Sequence, residues 1–119
     1  MAEPDPKPRK RIVGSRAWWE AQQARKSGRC ALCRRKAKTS WHHLVDRSLG
    51  GDDAGENLVE LCGDGTRGCH GEITGWKGEA RPRLRSILND EQIGYITQRK
   101  GQYWLDRYYP KEPHGPSRA

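Results

Sequence analysis

Apolar positions are sparse along this chain and fall in short groups whose spacing changes from one stretch to the next. Ser15 can cap a helix from Arg16 to about Lys26, with Trp18, Ala21, Gln22 and Arg25 on one face and Gly28 ending it. The run Thr39 to Val45 has strand character with alternating faces, so His42 and His43 should point to opposite sides. Asp46 to Glu56, with Gly50, Gly51 and Gly55, reads as a loop, and Asn57 to Leu61 as a short second strand. Cys69-His70 opens a helix through about Trp76. Asn89 or Asp90 caps another through Arg99, and Gly101 separates it from a shorter turn with Tyr103, Trp104, Leu105, Tyr108 and Tyr109. Ile87, Leu88, Ile93, Ile96 and Trp104 are the candidate core there. At the ends, Pro4, Pro6 and Pro8 oppose helix and precede a basic run, so residues 1–14 are expected to be a disordered basic tail. Residues 110–119 are expected to fray, which leaves a single domain over 15–109.

Composition makes that core thin. At 119 residues and 33% apolar content, the chain falls below the roughly 45–50% of ordinary globular domains, so it needs a staple. No apolar run follows the charged, proline-rich start, which argues against a signal peptide. No stretch approaches the ~18 apolar residues of a membrane span. A reducing, cytoplasmic compartment is therefore expected, in which zinc is favoured over disulfides. Cys30, Cys33, Cys62 and Cys69 form two separated pairs that can close a tetrahedral structural zinc site. The second pair spans Gly-Asp-Gly-Thr-Arg-Gly, where three glycines let a longer loop return its thiolate.

Charge is distributed unevenly along the chain. The net charge of +8 divides into +9 over residues 1–40, −5 over 41–80 and +4 over 81–119. Basic flanks around an acidic, histidine-rich centre suit a protein whose arms hold a phosphate backbone against a divalent cation. Lys7, Arg9, Lys10 and Arg11, then Arg34, Arg35, Lys36 and Lys38, are the phosphate-binding candidates, and Arg47 could meet a scissile phosphate. With four thiolates assigned to zinc, His42, His43 and His70 are left for a second metal and for proton transfer.

In order, Cys30-x2-Cys33, His42-His43, Gly50-Gly51-Asp52, Asn57-Leu58-Val59, Leu61-Cys62 and Cys69-His70 resemble the cysteine-bearing branch of the HNH (His-Asn-His) endonucleases. The likeness covers Cys30 to about Thr74; the flanks resemble, more weakly, the extensions of small phage-encoded members. It implies an α+β fold: a zinc-stapled ββα-metal, treble-clef-like core over residues 30–76 with flanking helices. It also implies that His43 is the general base, that His42 and His70 are ligands of a catalytic divalent cation (Mg²⁺, Mn²⁺, Ni²⁺ or Zn²⁺), and that Asn57 holds the loop and so positions the base. Asp46 stands where many relatives have proline, and we read it as a solvated loop residue. The expected activity is metal-dependent hydrolysis of DNA phosphodiesters, as an endonuclease or nickase leaving 5′-phosphate and 3′-hydroxyl ends. If the chain is phage-encoded, its compartment is the host cytoplasm and the packaging terminase is a candidate partner. The competing expectations are a junction-resolving recombination endonuclease and a noncatalytic zinc module that binds nucleic acid.

Overall fold

Ser15 begins the first regular element of the computed structural model, whose described residues are 9–112. Its hydroxyl accepts the Trp18 N–H, and α1 runs Arg16–Ala24 with Gln22 on its buried side. Two strands follow after the first cysteine pair. β1 (Thr39–His43) and β2 (Leu58–Cys62) pair antiparallel with Thr39 opposite Cys62 and His43 opposite Leu58. β1 stops two residues sooner than the expected Val45, although the Leu44 N–H still donates to the Asn57 carbonyl at 2.8 Å. β2 begins one residue late because Gly55–Asn57 forms a 3-10 turn.

Four helices complete the α+β arrangement. α2 (Gly68–Thr74) packs on β2, α3 (Ala80–Ile87) packs on α2, and α4 (Asp90–Lys100) packs on α5 (Gln102–Tyr108). α4 starts as the sequence predicts, with a full capping box between Asn89 and Gln92. The chain re-enters helix after Gly101, whose φ of 97° glycine adopts without strain. α3 has no clear signal in the sequence, because Pro82 reads as a breaker and three arginines dilute its apolar face. Pro82 lies in the first turn, where a missing N–H costs nothing, and Ala80, Leu84 and Arg85 form the buried side.

The core joins strands to helices through Leu44, Val45, Leu61, Ile73, Leu84, Ile96, Leu105 and Tyr109. Of the apolar residues expected there, Leu88 and Ile96 are buried and Ile93 and Trp104 pack partly against the core. Ile87 is 39% exposed, a correction: the chain turns extended at Leu88, which takes the buried place and leaves Ile87 at the helix end.

The start of the chain departs most from expectation. Residues 1–8, with Pro4, Pro6, Lys7 and Pro8, lie outside the described residues, as do 113–119. Residues 9–14 are not a free tail. The Ile12 carbonyl accepts the Asp53 N–H at 2.8 Å, and Arg9 and Arg11 pair with Asp52 and Asp53, both at 2.7 Å. Composition alone suggests disorder; the two buried carboxylates supply the partners that order this segment. At the other end Pro110, expected to fray, is buried.

Candidate functional site

The four cysteines come together first. The sulfurs of Cys30, Cys33, Cys62 and Cys69 all lie within 4.8 Å of one another, and those of Cys33 and Cys62 are 3.8 Å apart. Tetrahedral Zn–S bonds of about 2.3 Å would set sulfurs roughly 3.8 Å apart, so the group can hold a structural zinc. Backbone N–H groups of Leu32 and Cys33 point at the Cys30 sulfur, and that of Cys69 at the Cys62 sulfur, each at 3.4 Å. The Arg35 backbone N–H pulls the Cys33 thiol down to about 6, whereas burial pushes Cys69 up. The long spacing before Cys69 closes because Asp64 accepts from Thr66 and Arg67, and because Gly63 and Gly68 have φ of 81° and 67°. A Cβ on Gly63 would meet the Arg67 carbonyl oxygen at 2.1 Å.

The loop between the strands is tied from inside. Asn57 is fully buried; its Oδ1 accepts the Val45 N–H at 2.8 Å, while its Nδ2 donates to the carbonyls of Val45 at 3.1 Å and Asp52 at 2.8 Å. Gly51 lies so close to Val45 that a Cβ there would sit 1.6 Å from the carbonyl oxygen. Tyr95 on α4 donates to Asp52 Oδ2 at 2.6 Å and accepts the Asp52 N–H at 2.9 Å. Burial would raise the Asp52 carboxyl, but Arg9, Tyr95 and the Ile12 N–H hold it well below the usual carboxylate range.

Asp53 carries this order to the imidazoles. Burial opposes its charge, yet the Gly14 N–H, His43, Arg11 and Arg47 together hold its carboxyl low. His43 Nε2 lies 2.9 Å from Asp53 Oδ1. A carboxylate only accepts, so the proton of a neutral His43 sits on Nε2 and Nδ1 keeps its lone pair. Similar reasoning fixes the other two rings. The Ser40 hydroxyl has one hydrogen and donates it to the Gly63 carbonyl at 2.7 Å, so at 2.6 Å it accepts from His70 Nδ1–H and leaves His70 Nε2 free. Tyr109 donates its hydroxyl to the Leu44 carbonyl, so His42 Nε2, 3.0 Å away, is the donor and His42 Nδ1 is free. Burial pushes the pKa of all three imidazoles down, His42 to about 3 with help from His70 and Arg81, so the rings are neutral at pH 7.

All three histidines line one cleft of about 670 Å³. The rings of His42 and His70 are 5.2 Å apart, centre to centre, while His43 lies 5.8 Å from Trp19. No bulge interrupts the ladder, and the two neighbours keep different surroundings, His42 beside Tyr109 and His70 and His43 beside Asp53 and Trp19, although both line the cleft. Arg47 also lines the cleft, 57% exposed, with its Nε 3.7 Å from Asp53. Asp46 is exposed and caps a 3-10 turn by accepting from Ser48 at 2.8 Å. Arg34, Arg35 and Lys36 are exposed on the knuckle, and none of them lines the cleft.

No family model, curated protein or solved structure matches the chain.

Several residues at this site carry no signal in the sequence. Asp53 reads as one acid among several in a glycine-rich loop, and no periodicity marks it as the partner of His43. Tyr109 reads as part of a C-terminal turn and Ser40 as an ordinary strand residue. Lys26, Arg81 and Trp76 line the cleft without any motif to mark them, because their elements come together only in the fold. Among the described residues the cysteines form the only group of three or more potential metal ligands, and no helix is long and apolar enough to cross a membrane.

Proposed function

We propose that the protein is a divalent-metal-dependent DNA endonuclease or nickase of the HNH kind, built on a ββα-metal core formed by β1, β2 and α2. One observation carries this reading: three neutral imidazoles line one cleft, each with one nitrogen held by a named partner and the other left with its lone pair. One such histidine alone would be an ordinary, hydrogen-bonded side chain. Three together provide a base and a pair of ligands.

His43 Nδ1 removes the proton from an attacking water, and Asp53 favours the imidazolium that results while keeping the ring in the required tautomer. His42 and His70, each with one ring nitrogen left open, would hold a divalent cation between them. That cation, when bound, supplies charge stabilisation at the phosphate and the leaving 3′ oxygen. Arg47, beside His43 and largely exposed, is suited to a phosphate oxygen. Asn57 fixes the loop on which Asp53 stands, so it acts through Asp53 and not on the substrate. The family resemblance adds 5′-phosphate and 3′-hydroxyl products.

Incubation with supercoiled plasmid, scoring nicked and linear forms separately, tests the reading. Cleavage should require added Mg²⁺, Mn²⁺ or Ni²⁺ and stop with chelator, and the ends should carry 5′-phosphate. A zinc-loaded, folded protein that binds DNA but cleaves under none of these conditions would establish the noncatalytic zinc module instead.

A further inference from the structure

One wall of the cleft is aromatic in a way that phosphodiester hydrolysis by itself does not require. Trp76 follows α2 by two residues and is 46% exposed, yet its φ is 53°. This left-handed region is disfavoured for a bulky side chain and would be open to glycine at no steric cost. Such an outlier at the rim of a site is a reason to look for a use. The Arg81 guanidinium lies 3.8 Å from the centre of the Trp76 ring and is itself held by the carbonyls of Ile73 and Tyr108. Trp104 and Tyr108 stack beside it at 4.1 Å, and across the cleft Arg47 lies 5.4 Å from the Trp19 ring. Lys26, Arg47 and Arg81 thus provide cations among six aromatic side chains that share the cleft with the histidines.

We infer that Trp76 is a stacking platform for an unpaired nucleobase next to the scissile phosphate, so that the preferred substrate is single-stranded or locally opened DNA. This rests on the cleft being a phosphodiester site. Three things favour a nucleobase over an apolar partner. The half-exposed ring has the Arg81 guanidinium over one face and the other face for a base; Lys26 and Arg47 in the same cleft match the phosphates on either side of a base; and a base has a flat π-face that a paired strand hides inside its stack.

Fluorescence anisotropy without added divalent cation tests this on the full chain, with labelled single-stranded DNA, the matching duplex and an abasic strand as probes. Trp76→Gly should weaken binding of the single strand about 5- to 150-fold, the range of one base–aromatic stack, and leave duplex and abasic-strand affinity unchanged. Trp76→Tyr, which keeps a ring, should retain most of the single-strand affinity. Equal loss on single strand and duplex, or no loss on the single strand, would overturn the platform. The two readings can fail separately. Trp76-dependent binding by a protein that never cleaves removes only the nuclease assignment, and undiminished single-strand binding by Trp76→Gly in a protein that cleaves removes only the platform.

Discussion

At the knuckle four sulfurs face one another within 4.8 Å, whereas in the cleft three imidazoles each direct one nitrogen to a fixed partner and leave the other open. The four sulfurs could fill a tetrahedral zinc shell by themselves, with no position left for a substrate. The imidazoles cannot fill a coordination shell and depend on neighbours for their orientation: Ser40 for His70, Tyr109 for His42 and Asp53 for His43. Structural metal sites are typically closed by four protein ligands, whereas catalytic ones keep a position open. His70 follows Cys69 directly, so one peptide bond joins the two regions while their energetics should stay separable.

Loss of one sulfur should have the largest effect. Cys33→Ser or Cys62→Ser should cost most of the roughly 10–16 kcal/mol that a structural zinc contributes and leave the chain largely unfolded. Elemental analysis and thermal melts read this; variants that keep both zinc and melting temperature would contradict the closed-site reading.

The next effect is on chemistry. In Asp53→Asn the amide must face either the Gly14 N–H or the His43 and Arg11 donors with its own N–H. In the second case His43 moves its proton to Nδ1 and loses its base. Cleavage should fall at least roughly 10–100-fold, the scale of an outer hydrogen-bond partner that orients an imidazole, while zinc is retained. Unchanged turnover would show that His43 does not depend on Asp53.

Removing the arm should produce a smaller but broader change. Arg11→Ala leaves the buried Asp53 carboxylate without its guanidinium, at about 2 kcal/mol. The acid limb provides the sign. Asp52 and Asp53 are held below their ordinary values, so their contribution is present above about pH 4 and lost as pH falls through the depressed folded values. Parent stability should therefore drop more steeply than that of Arg11→Ala below about pH 4. Parallel slopes in chemical denaturation would mean that the Arg11–Asp53 pair contributes nothing.

How much of this is legible in the sequence follows from the range of each interaction. Ser15, Asn89 and the cysteine pairs act within a few residues, and their elements appear where local chemistry places them. The histidine motif names the residues of the cleft but not their wiring, because His43–Asp53 and His42–Tyr109 join segments 10 and 67 residues apart. The arm is illegible for the same reason. Arg9 and Arg11 look like a solvated charge run until the loop delivers Asp52 and Asp53, 43 and 42 positions away. They are therefore structural residues first, and the exposed Arg34, Arg35 and Lys36 remain the better candidates for holding DNA.

That distinction gives the smallest prediction. Replacing Arg34, Arg35 and Lys36 with alanine should flatten the log–log salt dependence of duplex binding by about 0.9 for each phosphate no longer neutralised. Stability and low-salt cleavage should stay intact. An unchanged slope would show that the knuckle cations only solubilise.

Single-turnover plasmid cleavage with zinc-loaded His43→Ala decides whether the cleft does chemistry while the knuckle builds the fold. The rate should fall by roughly 10²–10⁴ with melting temperature and DNA affinity near those of the parent. Parent-like cleavage by a nuclease-free preparation of this variant would contradict the assignment of His43, and with it the division of the molecule into a closed site and an open one.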